Sequence, residues 1–428
     1  MTLLAALAMA SLFAMSYWLF RSWFAPAVIY TASWTLALLA VAALEPLLYG
    51  ISGEAMFYYS VSAALFVVGT LLGQRMRRPA APAQIPTGWK GGKTQTVVNV
   101  MLLVLVLATP LLVYQLVSSG NLGTLITQLR DARIDSVSAN GEVGSFGLVK
   151  NLPVLAEFLV LMTVYLNRGV TRDRLRIVAA SVLWLLVALP SGSKLIALQL
   201  PFMVAAAFAI SRRRIPWRIA GLSVLGFGSI FLAGLYYINF GNLVANGDSV
   251  PIHQLLATMA SYAYGGVIGF SKVLILQSHF PFTQSPLRTP MYIIDAVALM
   301  LGLDPPFLLT SEHAPFLDVG QQLSGNVYSV LYAYFGAGGM VGVFGWSLVA
   351  GLFSGWVYRA VATGKGWAFF VYPWVIYACV MSVYSEQLFN SSLVIAKSLL
   401  LLGLVGVLTM KRSRFTSFSK HLLDRTRP

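Results

Sequence analysis

The chain has 428 residues, of which 58% are hydrophobic and only 10% charged, and its mean hydropathy is +0.76. Soluble globular proteins are about half apolar and about a quarter charged, so this composition excludes an ordinary water-soluble domain and indicates a polytopic membrane protein. The net charge of +15 would suggest a nucleic-acid partner in a soluble chain, but the cations here lie in the gaps between apolar runs, and the lone Cys379 excludes an internal disulfide or a Cys-based metal cluster.

The first apolar run, residues 2–20, has neither a basic start nor an Ala-x-Ala-type exit, and reads as a retained spanning helix. Further runs follow at 25–44, 56–73, 97–118, 151–166, 177–190, 194–210, 219–238, 338–357, 367–384 and 391–410. The expectation is an all-α polytopic membrane protein of about eleven transmembrane helices, a single integral membrane domain over 1–428. The Pro-rich stretch Arg77–Lys93 reads as a linker between spans.

Taken alternately, the gaps place 22 of the 29 Lys and Arg residues on one side, including the basic tail 411–428. Of the acidic residues only Asp173 and Asp424 join them. By the positive-inside rule that side is cytoplasmic, which puts the N-terminus outside and the C-terminus inside.

Two outer loops exceed a simple turn, 119–150 and 239–337, and the second is long enough to carry short helices. Within it, HQLLATMASYAYGGVIGFSKVLIL could be a further span, but the alternation of basic gaps favours helices lying on or in the outer membrane face.

Six cations stand outside against the topological rule: Arg130, Arg133, Lys150, Lys194, Lys272 and Arg288. Cations that resist this bias are often there to hold an anion, and guanidinium groups grip phosphate oxygens bidentately where an ammonium does not. Arg130, Arg133 and Arg288 are therefore candidate phosphate ligands, joined by Lys194 after the PSGS turn. A local salt-bridge set with Asp131 and Asp135 explains the first two equally simply, and snorkelling explains Lys194. Lys397 lies inside the last expected span and needs a partner, for which Glu157 or Glu386 would serve.

Candidate general bases on the same side are His253, His279, Asp304, Glu312, His313 and Asp318. The segment TSEHAPFLD brings Glu312, His313 and Asp318 within nine residues, a proton acceptor with an orienting partner, although a solvated loop has the same look. The sequence has no D-x-D pair, Walker loop, HExxH or GxSxG, so neither a metal nor any other cofactor is expected.

The segment GNVYSVLYAYFGAGGMVGVFGWSLVAGLFSG, Gly325–Gly355, resembles the C-terminal signature of the bacterial oligosaccharide repeat-unit polymerases, the Wzy-type O-antigen polymerases. LPSGSKLIAL, Leu189–Leu198, is similar to that family's mid-chain Gly-Ser-Arg/Lys turn, and SYAYGGVIGFSKVL, Ser261–Leu274, to the Tyr-then-Gly segment of its large outer loop. Some members carry Arg, ten residues, then Gly in two outer loops. Arg130 with Gly141 and Arg133 with Gly144 match that spacing, whereas Arg288 meets Leu299 where Gly would stand.

The resemblance implies a glycosyltransferase of the bacterial inner membrane that moves glycan from an undecaprenyl diphosphate carrier onto a carrier-linked repeat unit, with a chain-length regulator as a conceivable protein partner and no nucleic acid. It implies diphosphate binding by Arg130, Arg133, Lys194 and Arg288, proton removal by Glu312, His313 or Asp318, and sugar contacts from Asn326, Tyr328, Tyr332 and Tyr334. Tyrosines at this level also form interfacial belts. The O-antigen ligase is a close alternative with the same implied architecture, and a lipid-linked oligosaccharide flippase or other transporter is an alternative from a different class.

Overall fold

The computed structural model describes residues 1–45, 48–74, 86, 89, 91–117, 151–167, 169–188, 194–212, 221, 252–276, 285–304, 306, 317–320, 323–325 and 328–409. Seven helices come first: α1 Thr2–Phe20, α2 Pro26–Ala43, α3 Gly53–Gly73, α4 Gly92–Val117, α5 Leu152–Leu166, α6 Thr171–Ala188 and α7 Lys194–Arg212. Then come α8 Ile252–Ile275, α9 Arg288–Met300, an antiparallel hairpin of β1 Leu317–Gly320 and β2 Leu323–Gly325, and α10 Val330–Gly336. Three more helices close the described chain: α11 Gly339–Ala362, α12 Gly366–Met381 and α13 Ser392–Thr409.

Local chemistry sets several boundaries. Pro26 occupies the first turn of α2, where its missing N–H costs nothing. Ser52 caps α3 by accepting the Ala55 amide at 3.1 Å. Helix α1 ends at Arg21, which adopts a left-handed conformation at φ 48°.

Among the described residues six helices are long and apolar enough to cross a bilayer: Thr2–Phe20, Pro26–Ala43, Gly53–Gly73, Gly92–Pro110, Gly339–Ala362 and Ser392–Thr409. Leu152–Leu166, Gln199–Ser211, Ala263–Ile275 and Gly366–Met381 are shorter apolar helices. Large apolar side chains such as Leu36, Leu107 and Leu400 stand about two-thirds or more exposed, the surface expected of helices that face lipid. Among the described residues the chain is thus helical apart from one small hairpin, in keeping with an all-α membrane protein. The expected span at 219–238 lies outside the described residues except residue 221.

Cross-chain hydrogen bonds sort the helix ends. At one end, here the hairpin end, the Ile51 amide donates to Thr2 Oγ1 and the Ser52 amide to Ser271 Oγ. The Tyr49 amide donates to the Val319 carbonyl, Ser329 to Gly266, and Val330 to Ser382. At the opposite end Tyr372 Oη donates to the Phe24 carbonyl, and the Trp89 ring meets Tyr165 and Phe369. Arg21, Arg172, Arg174, Arg176, Arg359 and Lys365 belong to helix ends at that opposite end. Lys272, Arg288 and Lys397 belong to the hairpin end.

The closest helix pair is α3 with α11. Gly69 and Gly73 lie against Leu348, Gly351, Leu352 and Gly355, and a Cβ at any of the four glycines would collide with facing backbone. Only glycine lets two backbones come this near, the device helices use to associate in lipid. Ser62 and Ser347 then share a buried hydrogen bond at 2.7 Å.

The segment expected as short helices on the membrane face is different. Helix α8 has 24 residues and reaches into the bundle, with Val267, Ile268, Phe270 and Val273 fully buried. Tyr59 of α3 donates to the Val267 carbonyl at 2.5 Å. An added Cβ on Gly266 would sit 2.7 Å from the Val383 carbonyl, so its missing side chain is what admits the helix.

Candidate functional site

The hairpin end collects most of the described candidates. Asp318 lies on β1 with its side chain exposed, opposite Ser324, and the next residue, Val319, fastens the hairpin to Tyr49. Arg288 is the first residue of α9 and is half-buried. Its neighbour Thr289 donates to the Asn390 carbonyl at 2.9 Å, which ties α9 to the turn before α13. Asp304 is exposed beyond the end of α9.

Lys194 is the first residue of α7, and its side chain lies outside the described residues, as does that of His253. Arg130, Arg133, His279, Glu312, His313 and Asn326 also lie outside them.

Tyr328 and Tyr332 are almost fully buried and stack on one another at 4.4 Å with 26° between the rings. Each ring uses a face on the other, so the pair forms a floor under the start of α10 and not an open platform for sugars. Burial raises the phenol of Tyr328 above its ordinary range, which keeps it a hydrogen-bond donor. Tyr334 is buried as well, beside the Trp346 ring.

Sequence reasoning offered Glu157 or Glu386 as the partner of Lys397, and the structure corrects this. Lys397 Nζ donates to Asn151 Oδ1 at 2.7 Å, just before α5, because a lysine this near the helix start reaches back toward the hairpin end. Glu157 accepts instead from Gln199 Nε2 of α7 at 2.7 Å.

Glu386, in the turn between α12 and α13, is only 2% exposed. Its Oε1 accepts the Phe389 amide and its Oε2 the Asn390 amide, each at 2.9 Å. The carboxylate also borders a cavity of about 20 Å³ shared with Tyr30, Tyr334, Ser354 and Ser382. That space fits one water molecule, and the buried Ser354 hydroxyl beside it has no hydrogen-bond partner among the described residues.

Burial pushes the Glu386 carboxyl up to about 7, against the partial opposition of backbone N–H groups. A carboxyl raised on folding binds its proton more tightly in the folded state. Its stabilising contribution is complete below the ordinary value of 4.5 and is lost as pH climbs through about 7. At 1.36 kcal/mol per unit the effect is roughly 3 kcal/mol. The detergent-solubilised protein is therefore expected to lose melting temperature between pH 5 and 8, and Glu386→Gln to flatten that slope. An identical slope in the variant refutes the assignment.

Among the described residues no group of three His, Cys, Asp or Glu side chains could hold a metal ion, and Cys379 is buried in α12. The sequence marked the exposed charges and named Glu386 only as a partner for Lys397; its bonds to the Phe389 and Asn390 amides have no sequence signal. No protein family, no curated protein and no solved structure matches the chain.

Proposed function

We propose that the protein is a glycosyltransferase that polymerises undecaprenyl-diphosphate-linked oligosaccharide repeat units at the outer face of a bacterial inner membrane. The observation that carries this reading is the sequence Gly325–Gly355, in which Asn-Val-Tyr leads through the aromatic helix α10 and a Gly pair into α11. The location of Arg288 and Asp318 at one end of the bundle, the end poorer in described cations, supports it. In this reading the hairpin end faces away from the cytoplasm and the basic tail 411–428 lies inside.

The chemistry asks for two things. An acceptor sugar hydroxyl attacks the anomeric carbon of the donor glycan while the bond from that carbon to the diphosphate oxygen breaks, and the carrier diphosphate leaves with the bonding pair. Arg130, Arg133, Lys194 and Arg288 neutralise the charge that grows on it. One of Glu312, His313 or Asp318 takes the hydroxyl proton. The energy comes from the diphosphate leaving group.

Deleting the gene in its host tests the reading on surface and carrier-linked glycans run on a gel. Collapse of the ladder to a single repeat unit on its final acceptor is the expected result. Full-length polymer stranded on the carrier would identify an O-antigen ligase instead, and an unchanged ladder would remove both transferase readings and leave a transporter.

A further inference from the structure

The turn 382–391 is built around Glu386, and what it holds in place reaches beyond the turn. With both carboxylate oxygens on backbone amides, and Asn390 Nδ2 returning a bond to the Glu386 carbonyl at 3.1 Å, Asn390 is fixed at the backbone and at the side chain. Both oxygens of Asn390 then face the Thr289 hydroxyl, the carbonyl at 2.9 Å and Oδ1 at 3.4 Å. Thr289 is the second residue of α9, next to Arg288.

Helix α9 needs such an anchor. It is an amphipathic helix of 13 residues whose Ile294 and Val297 remain about half exposed, and it packs against α13, the helix that this turn begins. A bond in the first turn sets where the helix starts and so where the Arg288 side chain departs from the backbone.

We propose that Glu386 is a positioning residue for the anion site: through Asn390 and Thr289 it holds the first turn of α9, and with it Arg288, in register for a phosphate group of the lipid-linked donor. The inference rests on the reading above in which Arg288 meets the diphosphate.

The test uses the full-length protein in detergent, with the undecaprenyl-diphosphate-linked repeat unit isolated from the host as donor. Thr289→Val, Asn390→Ala and Glu386→Ala are each expected to lower kcat/KM about tenfold, chiefly through the donor KM, the effect of losing one positioning hydrogen bond. Placed in an Arg288→Ala background, Asn390→Ala is expected to add nothing, because the residue it positions is gone. Cys379 is buried, so a Thr289→Cys/Asn390→Cys pair can be oxidised cleanly, and the disulfide is expected to restore the donor KM in Glu386→Ala. Effects that add fully to Arg288→Ala, or no effect in Thr289→Val, overturn the inference while Arg288 keeps its role. Activity undiminished in Arg288→Ala overturns both the inference and the reading under it. If Glu386→Ala does not fold, Thr289→Val and Asn390→Ala decide alone.

Discussion

Gly355→Val is expected to abolish folded protein in the membrane. The position looks permissive in sequence, a small residue in an apolar helix, yet an added Cβ would run into the carbonyl of Thr70 and crowd the Thr70 Cα at 2.9 Å. The obstruction is backbone, so no rotamer change relieves it. The partner side repeats the arrangement: Gly69 and Gly73 face the carbonyls of Leu348 and Leu352, and Gly351 faces that of Phe66. Inserting bulk forces the two helices apart along their whole contact. It strips the buried Ser62–Ser347 hydrogen bond and unseats the Tyr30–Phe66 stack beside it.

Overpacking a well-filled core costs about 1–3 kcal/mol when side chains can yield. Here they cannot, and a loss above about 3 kcal/mol is a large share of the 5–15 kcal/mol that typically holds a domain together. The measurement is monodisperse yield and melting temperature by size-exclusion chromatography. Gly345→Ala and Gly403→Ala are the controls, since a Cβ at either meets nothing within 4 Å, and both are expected to fold as the parent does. Parent-like yield and melting in Gly355→Val would show that the two helices do not meet here.

The signal for that helix pair lies in the amino-acid sequence itself. Gly69-Thr-Leu-Leu-Gly73 and Gly351-Leu-Phe-Ser-Gly355 carry the same four-residue spacing, which puts two glycines on one face of each helix. The long apolar runs also mark their own ends: 2–20, 25–44 and 391–410 correspond to Thr2–Phe20, Pro26–Ala43 and Ser392–Thr409. Where water begins, composition loses this grip. Helix α6 starts at Thr171 and not near 177, because Arg172, Arg174 and Arg176 prolong the helix with their charges in solvent, and the Arg176–Asp173 ion pair supports that extra turn.

Pairings across the chain are not legible in this way. Lys397 meeting Asn151, Ser52 meeting Ser271 and Tyr49 meeting Val319 join residues far apart in sequence, and no local pattern encodes such partners. The same holds for the depth of α8. Its composition fits a helix lying on the membrane as well as one inside the bundle, and only the seat of Gly266 against Val383 and Ser329 distinguishes them. For the candidate site, the sequence supplies charge and location, while the device that orients Arg288 depends on a turn about a hundred residues further along.

Arg288→Ala is expected to reduce glycan polymerisation about 100-fold while leaving abundance and melting temperature unchanged. In the proposed reaction the size follows from removing one preorganised cation beside a leaving group that gains negative charge, a loss of roughly 3 kcal/mol in transition-state stabilisation. The stability half of the expectation comes from its place in the helix. The N-terminus of a helix carries partial positive charge and favours acidic side chains, so an arginine as the first residue of α9 is electrostatically unfavourable for that helix. Alanine relieves this and has the higher helix propensity, which together offset the half-buried stem and the polar or ring contact it lacks. Lysine separates charge from geometry. It keeps the cation but loses the planar fork that meets two phosphate oxygens at once, so Arg288→Lys is expected to fall between the parent and Arg288→Ala. Measured as ladder length in vivo and as donor turnover in detergent, an arginine that tolerates both substitutions would leave the anion to Arg130, Arg133 and Lys194. One that rejects lysine nearly as strongly as alanine identifies bidentate phosphate recognition at the start of α9.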